Sequence, residues 1–447
     1  MALIFLNRYF YPDQSATSQI LSDLAFNLAA SGQAVTIMTS QLRYDDETAK
    51  LSPLETVAGV KIIRVKTSRF GRANLPGRAI DYATFYLSAA AALWWTCRLG
   101  DIVIAKTDPP MLSIMTGPIA RLRGAHTVNW LQDLFPEVAE VVGLSQGLHT
   151  KLLYQLLHAM RDRSLKRASM NVVIGEVMAT RLRALGVPAE RLQVIPNWAD
   201  GAAITPMSAA TNALRSQWGL KEAFVVGYSG NLGRAHDVTT IIDAIQHIEN
   251  HSQISRPELG SNTEVAVPSR KVEIPPQELP IRWLFIGGGA GLELMKHHVA
   301  SRGLTSVLFL PYQPRSRLAE SLGAADVHLV SLSPGLEGLI VPSKYYGIAA
   351  AARPAIFIGA ADGEIGQILT RTGAGTTVAP GDSKLLATKV LEYANNPKLC
   401  HHVGLKARDA FDREFSKPVA MTRWQAVLDH LRRNSPHETK SQSPSAA

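Results

Sequence analysis

The sequence predicts an α/β protein built from two doubly wound domains. Three observations lead there. Short β-branched or apolar runs alternate with helix-period segments along most of the chain, the spacing that produces a parallel sheet covered on both faces. The alternation lapses between Asn197 and Leu220, and then restarts. At 447 residues, the chain is longer than one ordinary hydrophobic core sustains. Ligands of such sheets bind beyond the carboxyl ends of the strands, so the residues that follow each strand are the ones to read for chemistry.

Taken in order, Leu3–Asn7, Ala34–Thr39, Val60–Val65, Ile102–Lys106, Thr127–Leu131, Met170–Ile174 and Leu192–Ile195 are the strand candidates of a first domain, residues 1–200. Helix candidates between them are Ser18–Ala30, Ala79–Leu99, Met111–Arg123, Leu148–Ala168 and Val177–Leu185. Small residues at Gly201-Ala202-Ala203 mark the connection to a second domain, residues 201–416. There Phe224–Ser229, Ile281–Ile286, Val307–Leu310, Val327–Leu332 and Ala355–Ile358 read as strands. Thr239–Ile248, Leu292–Arg302, Leu318–Ala324 and Lys384–Asn395 read as helices. Residues 249–280 are polar, proline-bearing and aperiodic, the pattern of a flexible surface insertion. A last helix, Lys417–Arg433, precedes a polar tail, 434–447, expected to be disordered.

Composition narrows the class. With 46% hydrophobic and 19% charged residues the chain is globular. Cys97 and Cys400 have no metal-ligand spacing and form no disulfide framework, which fits a reducing, cytoplasmic compartment. Ala2–Leu6 reads as a first strand and not as a signal peptide. The longest other apolar run, Leu87–Trp95, is half of what crossing a bilayer needs. The net charge of +9 is concentrated in Val60–Arg78 and His149–Arg167. These runs are either solvated faces or a surface that attracts anionic lipid headgroups or a phosphate-bearing acceptor. No motif for nucleic acid accompanies them.

The most informative stretch is Pro334–Gly347, which joins the strand candidate Val327–Leu332 to a helix that must stop before Pro354. It sets Glu337, glycine-flanked backbone and Lys344 at a strand-to-helix junction, where free amides and the helix dipole favour an anion such as phosphate. After the first strand, Tyr11–Ser18 is either a turn with an N-cap at Ser15, Thr17 or Ser18 or a loop facing a ligand. Asp133 ends the strand Thr127–Leu131, as a structural cap or as a contact to a transferred group. In Tyr228–His236, Gly230 and Gly233 let a ligand approach the backbone and Arg234 can pair with diphosphate; His236 reads equally as a surface histidine. Gly287-Gly288-Gly289-Ala290-Gly291 fails the dinucleotide fingerprint, since its third glycine would be Leu292; it reads as a tight turn under a base or ribose. Asp362 or Glu364 either caps the helix Ile365–Thr370 or reaches a sugar hydroxyl. No Asp-x-Asp pair is present to hold a metal beside a diphosphate.

Together, Gln132–Glu137, Gly230–His236, Glu337–Gly347 and Asp362–Ile365 resemble glycosyltransferase family 4, with its GT-B fold of two Rossmann-like domains facing a cleft. The likeness is to bacterial enzymes of exopolysaccharide and colanic-acid-type biosynthesis. It implies a retaining transferase that binds a nucleotide-diphosphate sugar in the C-terminal domain and its acceptor in the N-terminal one; the basic N-terminal half and the apolar, tryptophan-bearing stretch Phe85–Trp95 point to a lipid-linked acceptor at the cytoplasmic face of the inner membrane. It further implies that Glu337 bonds the donor sugar hydroxyls, that Lys344 and Arg234 bind the diphosphate, and that Asp133 lies near the transferred sugar. Gly230, Asn231, Gly233, Gly288, Gly338, Leu339, Pro342 and Ser343 would line the donor, and Asp13, Ser15 and Thr17 the acceptor. No metal or cofactor is expected. The wider family often carries a second glutamate eight residues after the first; here Tyr345 stands there, or Gly347 if two extra residues shift the frame, so Asp362 or Glu364 would take over the ribose. Two other functions share this architecture: a nucleotide-sugar 2-epimerase and a non-catalytic sugar-nucleotide-binding protein.

Overall fold

A computed structural model of the chain describes residues 1–13, 15–43, 51–70, 75–143, 148–233, 235–254 and 280–434. Arg234, most of the expected insertion (255–279) and the tail 435–447 lie outside them. The chain divides into two compact units. Met1–Trp198, Gly338–Val341 and Lys417–Ala447 form the first, and Ala199–Glu337 with Pro342–Ser416 the second.

The first unit runs β1 (Leu3–Leu6), α1 (Ala16–Ala30), β2 (Val35–Ser40), β3 (Leu54–Val57), β4 (Val60–Val65), α2 (Leu75–Thr96), β5 (Ile102–Ala105) and α3 (Ser113–Leu122). It continues with β6 (His126–Leu131), α4 (Glu137–Val141), α5 (Leu148–Arg167), β7 (Met170–Val173), α6 (Glu176–Ala184) and β8 (Leu192–Val194). The sheet order is β3-β4-β2-β1-β5-β6-β7-β8. Every pair is parallel except β3–β4.

Alternation of side chains along each strand divides the apolar residues between two cores. Leu3 and Phe5 of β1 enter one core with Trp130 and Trp198. Ile4 and Leu6 enter the other with Phe85 and Leu93 of α2. All four residues of β1 are therefore buried, which is why the strand reads as an unbroken apolar run. The edge strand β3 carries no such signal, because its residues alternate between exposed and half-buried.

The second unit contains α7 (Ala213–Gln217), β9 (Phe224–Asn231), α8 (Thr239–Ile254), β10 (Ile281–Gly288), α9 (Ala290–Ser301), β11 (Val307–Leu310), α10 (Leu318–Gly323) and β12 (Val327–Ser331). α11 (Lys344–Ala350), β13 (Ala355–Ile358), α12 (Glu364–Thr372), β14 (Gly375–Val378), α13 (Ser383–Asn395) and α14 (Pro397–Ala410) follow. Its wholly parallel sheet is ordered β11-β10-β9-β12-β13-β14.

One expectation is corrected here. Residues 249–254 are helix, not insertion. The Glu249 carboxylate accepts the backbone N–H groups of Ser306 at 2.8 Å and Thr305 at 3.0 Å, tying the end of α8 to the residues before β11. The last helix, α15 (Lys417–Arg433), belongs to the first unit. Its Trp424 meets Trp130 edge-on, with ring centroids 4.7 Å apart. No described helix is long and apolar enough to cross a membrane.

Candidate functional site

Strand order reverses between β9 and β12 in the second unit and between β1 and β5 in the first. At such a reversal the loops diverge and leave room for a ligand.

In the second unit β9 and β10 run in register to their ends, with Gly230 opposite Gly287 and Asn231 opposite Gly288. A Cβ on Gly287, at φ +136°, would lie 2.2 Å from the Gly230 carbonyl oxygen. One on Gly289 would lie 2.2 Å from Asn231 Oδ1. The glycine run after β10 thus has a packing reason: two strand ends approach too closely for any side chain.

Lys344 opens α11 and lays its stem on Gly230, where a Cβ would come within 2.7 Å of Lys344 Cε. Its ammonium sits 5.2 Å above the Tyr228 ring. Burial pulls its pKa down to about 8, so the site holds a desolvated cation that an anionic ligand would stabilise. His236 is not the surface histidine that the sequence left open. Its Nδ1 lies 2.7 Å from the Ser331 carbonyl oxygen, and burial, aided by the Lys344 charge, lowers its pKa to about 4. It is neutral at pH 7.

Glu337 follows the 3₁₀ turn Pro334–Leu336 and is 7% exposed. Its Oε2 accepts the Glu364 N–H at 3.3 Å, at the first turn of α12. Gly363, the N-cap, brings no side chain, and a Cβ there would lie 2.2–2.4 Å from the Glu337 carboxyl atoms. This corrects the expected cap: neither Asp362 nor Glu364 caps α12, and the acceptor comes from Glu337. Asp362 is exposed and Glu364 buried. Pro342 is buried, while Ser343, before α11, is exposed and makes no side-chain cap bond. Gly338 (φ +72°) and Leu339 belong to the first unit, where the Leu339 carbonyl accepts the Leu134 N–H at 2.8 Å. The absent second glutamate has a structural counterpart. Tyr345 is fully buried, edge-on to Phe415 at 6.0 Å, and a Cβ on Gly347 would lie 3.3 Å from Leu322 Cδ1.

In the first unit Asp133 is half-buried beyond the end of β6, and Thr107 Oγ1 donates to its Oδ2 at 3.5 Å. Burial raises its carboxyl pKa to about 6, against the opposing charge of Lys106. Lys106, read from sequence only as the last residue of a strand, is 1% exposed. Its Nζ donates to the Thr17 carbonyl at 3.1 Å and lies 3.8 Å from the Trp130 ring centroid. Burial lowers its pKa to about 7, against Asp108 and Asp133. A lysine closing an apolar run just before Thr107-Asp108-Pro109-Pro110 was the signal available.

The loop after β1 is held by Asp13. Its Oδ1 accepts the Ser15 N–H at 2.8 Å, and its carbonyl accepts the Ser18 hydroxyl at 3.1 Å. Ser15 occupies the N-cap of α1 without a side-chain cap bond, and Thr17 contributes its carbonyl to Lys106. Among the described residues no group of three His, Cys, Asp or Glu can hold a metal ion.

Residues 16–198 match the glycosyl transferase 4-like domain family. The whole chain superposes on sucrose-phosphate synthase of Thermosynechococcus elongatus with a TM-score of 0.72, covering 97% of this chain and 100% of that one at 17% identity. Anabaena Alr3699/HepE, solved with UDP and glucose, gives a TM-score of 0.67 over 96% of this chain and 100% of that one, at 16% identity. The chain is a glycosyltransferase of the GT-B fold. In sequence the transferase is 26% identical over 337 residues to a probable glycosyltransferase of Pseudomonas aeruginosa, WbjE, covering 75% of this chain and 76% of that protein.

Proposed function

We propose that this transferase moves a sugar, with retention, from a nucleotide-diphosphate sugar to a lipid-linked saccharide at the cytoplasmic face of the inner membrane, in cell-surface or exopolysaccharide assembly. The observation that carries the donor reading is Lys344. A half-buried ammonium stands at the carboxyl end of the second sheet, on a glycine that leaves room beside it. A diphosphate supplies the counter-charge that none of the described residues is shown to give Lys344. The solution of Anabaena Alr3699/HepE with UDP-glucose supports a nucleotide sugar as the occupant.

In this reading Lys344 and Arg234 neutralise the leaving diphosphate, and no metal is required. Glu337 positions the donor sugar through its hydroxyls; Asp362 or Glu364, at the same helix end, reaches the ribose. In the first unit Asp133 lies by the transferred sugar, with Asp13, Ser15 and Thr17 on the acceptor side. The acceptor hydroxyl attacks the anomeric carbon on the face from which the diphosphate departs. As the carbon–oxygen bond to phosphate breaks, the leaving phosphate oxygen takes the hydroxyl proton. No protein nucleophile takes part, and the electrostatic stabilisation of the departing charge is the main protein contribution.

The test is transfer by Glu337→Gln and Lys344→Ala, with the fold checked by circular dichroism. Each variant should lose about 10²–10³-fold in kcat/KM, and Lys344→Ala should lose the rise in melting temperature that a nucleotide sugar gives the wild type. Unchanged turnover in both variants would overturn the assignment. Isomerisation of the donor without any acceptor would favour the 2-epimerase reading instead.

A further inference from the structure

The first unit holds a pocket of about 710 Å³ that no part of the proposed donor chemistry uses. Its size falls in the range of about 300–1,000 Å³ typical of small-molecule sites. α2, α3 and α5 contribute to its walls, which are almost wholly apolar and aromatic: Tyr82, Tyr86, Met111, Met115, Phe135 and Leu157 are among them. Arg78 is the charged group of the lining. Two features join this pocket to the transfer chemistry. Phe135 lies two residues after Asp133, and Pro110, also in the lining, four residues after Lys106. The turns that end β5 and β6 therefore carry both the buried polar pair and one wall of the pocket. Tyr86 fastens that wall by donating its hydroxyl to the Pro110 carbonyl.

The pocket does not close against the protein surface as a core cavity would. On α5, Leu157 lines it, as does Leu153, which is 52% exposed. Leu152, Leu156 and Met160 are exposed as well, at 64%, 57% and 39%. Spacings of three and four residues place these side chains along one broad face of the helix. An apolar stripe left in water beside an apolar pocket marks a binding surface. Its charged surroundings are mixed: farther along α5, Arg163 and Arg167 act on Arg121 of α3, while the Glu140 carboxylate acts on Tyr154 of the lining. Apolar walls, pliable methionines and one arginine as the charged group of the lining together describe a long hydrocarbon chain with an anionic head.

We propose that this pocket seats the isoprenoid chain of a polyprenyl-diphosphate-linked acceptor, with Arg78 at the rim meeting its diphosphate and the α5 stripe guiding the chain in. The proposal rests on the lipid-linked reading of the acceptor. The chain enters beside the loop of Asp133, so the saccharide it carries is held at the end of the first sheet.

The experiment is calorimetric binding of three probes to the full chain: farnesyl diphosphate, inorganic diphosphate and dodecyl maltoside. Farnesyl diphosphate should bind at least tenfold more tightly than either of the others. Ile114→Trp, which fills the pocket, should weaken it at least tenfold, and Leu153→Glu at the exposed mouth about fivefold. Arg78→Ala should remove the preference over dodecyl maltoside. Leu153 is exposed enough for its variant to fold even where Ile114→Trp does not. Equal binding of farnesyl diphosphate and dodecyl maltoside, or wild-type binding in Leu153→Glu, overturns the proposal. So does a dimer that Leu153→Glu dissociates, which would make the stripe an interface between copies. A nucleotide-sugar melting shift, read in the same samples, separates two failures. If it persists without farnesyl diphosphate binding, the pocket proposal falls and the transferase reading stands; if it too is absent, the donor reading falls with it.

Discussion

Lys106 is costly to bury, and its surroundings show how that cost is met. Its ammonium has one carbonyl and one indole face as near neighbours, with Asp133 and Asp108 acting at longer range. The pH consequences oppose each other. Asp133, raised from 3.8 to about 6, keeps its proton in the fold where the unfolded chain has lost it, so stability falls as pH rises through that window. Lys106, lowered from 10.5 to about 7, loses its proton in the fold first, so stability recovers as pH rises from about 7. Between these two values both groups are charged, and the pair stabilises the fold least. Lys106→Met removes a charge that holds Asp133 down. The Asp133 carboxyl pKa should then rise further, carrying the acid limb of the transfer rate upward with it. An acid limb that stays in place in Lys106→Met would show that Asp133 does not set it.

At the scale of elements, the strand-to-helix junction at Glu337 depends on a residue distant in sequence. Gly363 leaves the space that the Glu337 carboxylate occupies. Gly363→Ala would expel that carboxylate from the start of α12. The helix loses a cap worth about 1 kcal/mol, and transfer should fall nearly as far as in Glu337→Gln. A Gly363→Ala enzyme as active as wild type would show that this carboxylate is not needed where the structure puts it. The same junction shows what was legible in the sequence. β1, β5, β9 and β12 are buried runs and announce themselves, and the Glu337–Lys344 stretch stands out because it follows one of them. What could not be read is the partner of Glu337, since the bond to the Glu364 N–H closes over 27 residues and no local pattern encodes it. Lys106 escaped for a related reason: its neighbours Thr17 and Trp130 come from α1 and β6. β3 escaped because Leu54-Glu55-Thr56-Val57 forms no apolar run.

The molecule as a whole is two units threaded unequally. The first unit is left at Trp198 and completed only from Lys417 onward, where α15 adds Trp424, Val427, Leu428 and Leu431 to the core around Trp130. Trp424 is fully buried, so Trp424→Ala should cost about 3–5 kcal/mol, and it should do so in one unit. Calorimetry should resolve two transitions, the variant lowering one and a nucleotide sugar raising the other. Equal lowering of both transitions by Trp424→Ala would contradict independent cores. The threading also sets an order of birth on the ribosome. The second unit is synthesised whole before the helix that finishes the first has been made. At about 5–20 residues per second, the wait for those intervening residues is on the order of 10–40 s. During that interval the tryptophan-lined face of the nascent first sheet lacks its cover. Of the two units, the one that emerges first is thus completed last, and the nascent chain is at its most chaperone-dependent while the second unit is already folded.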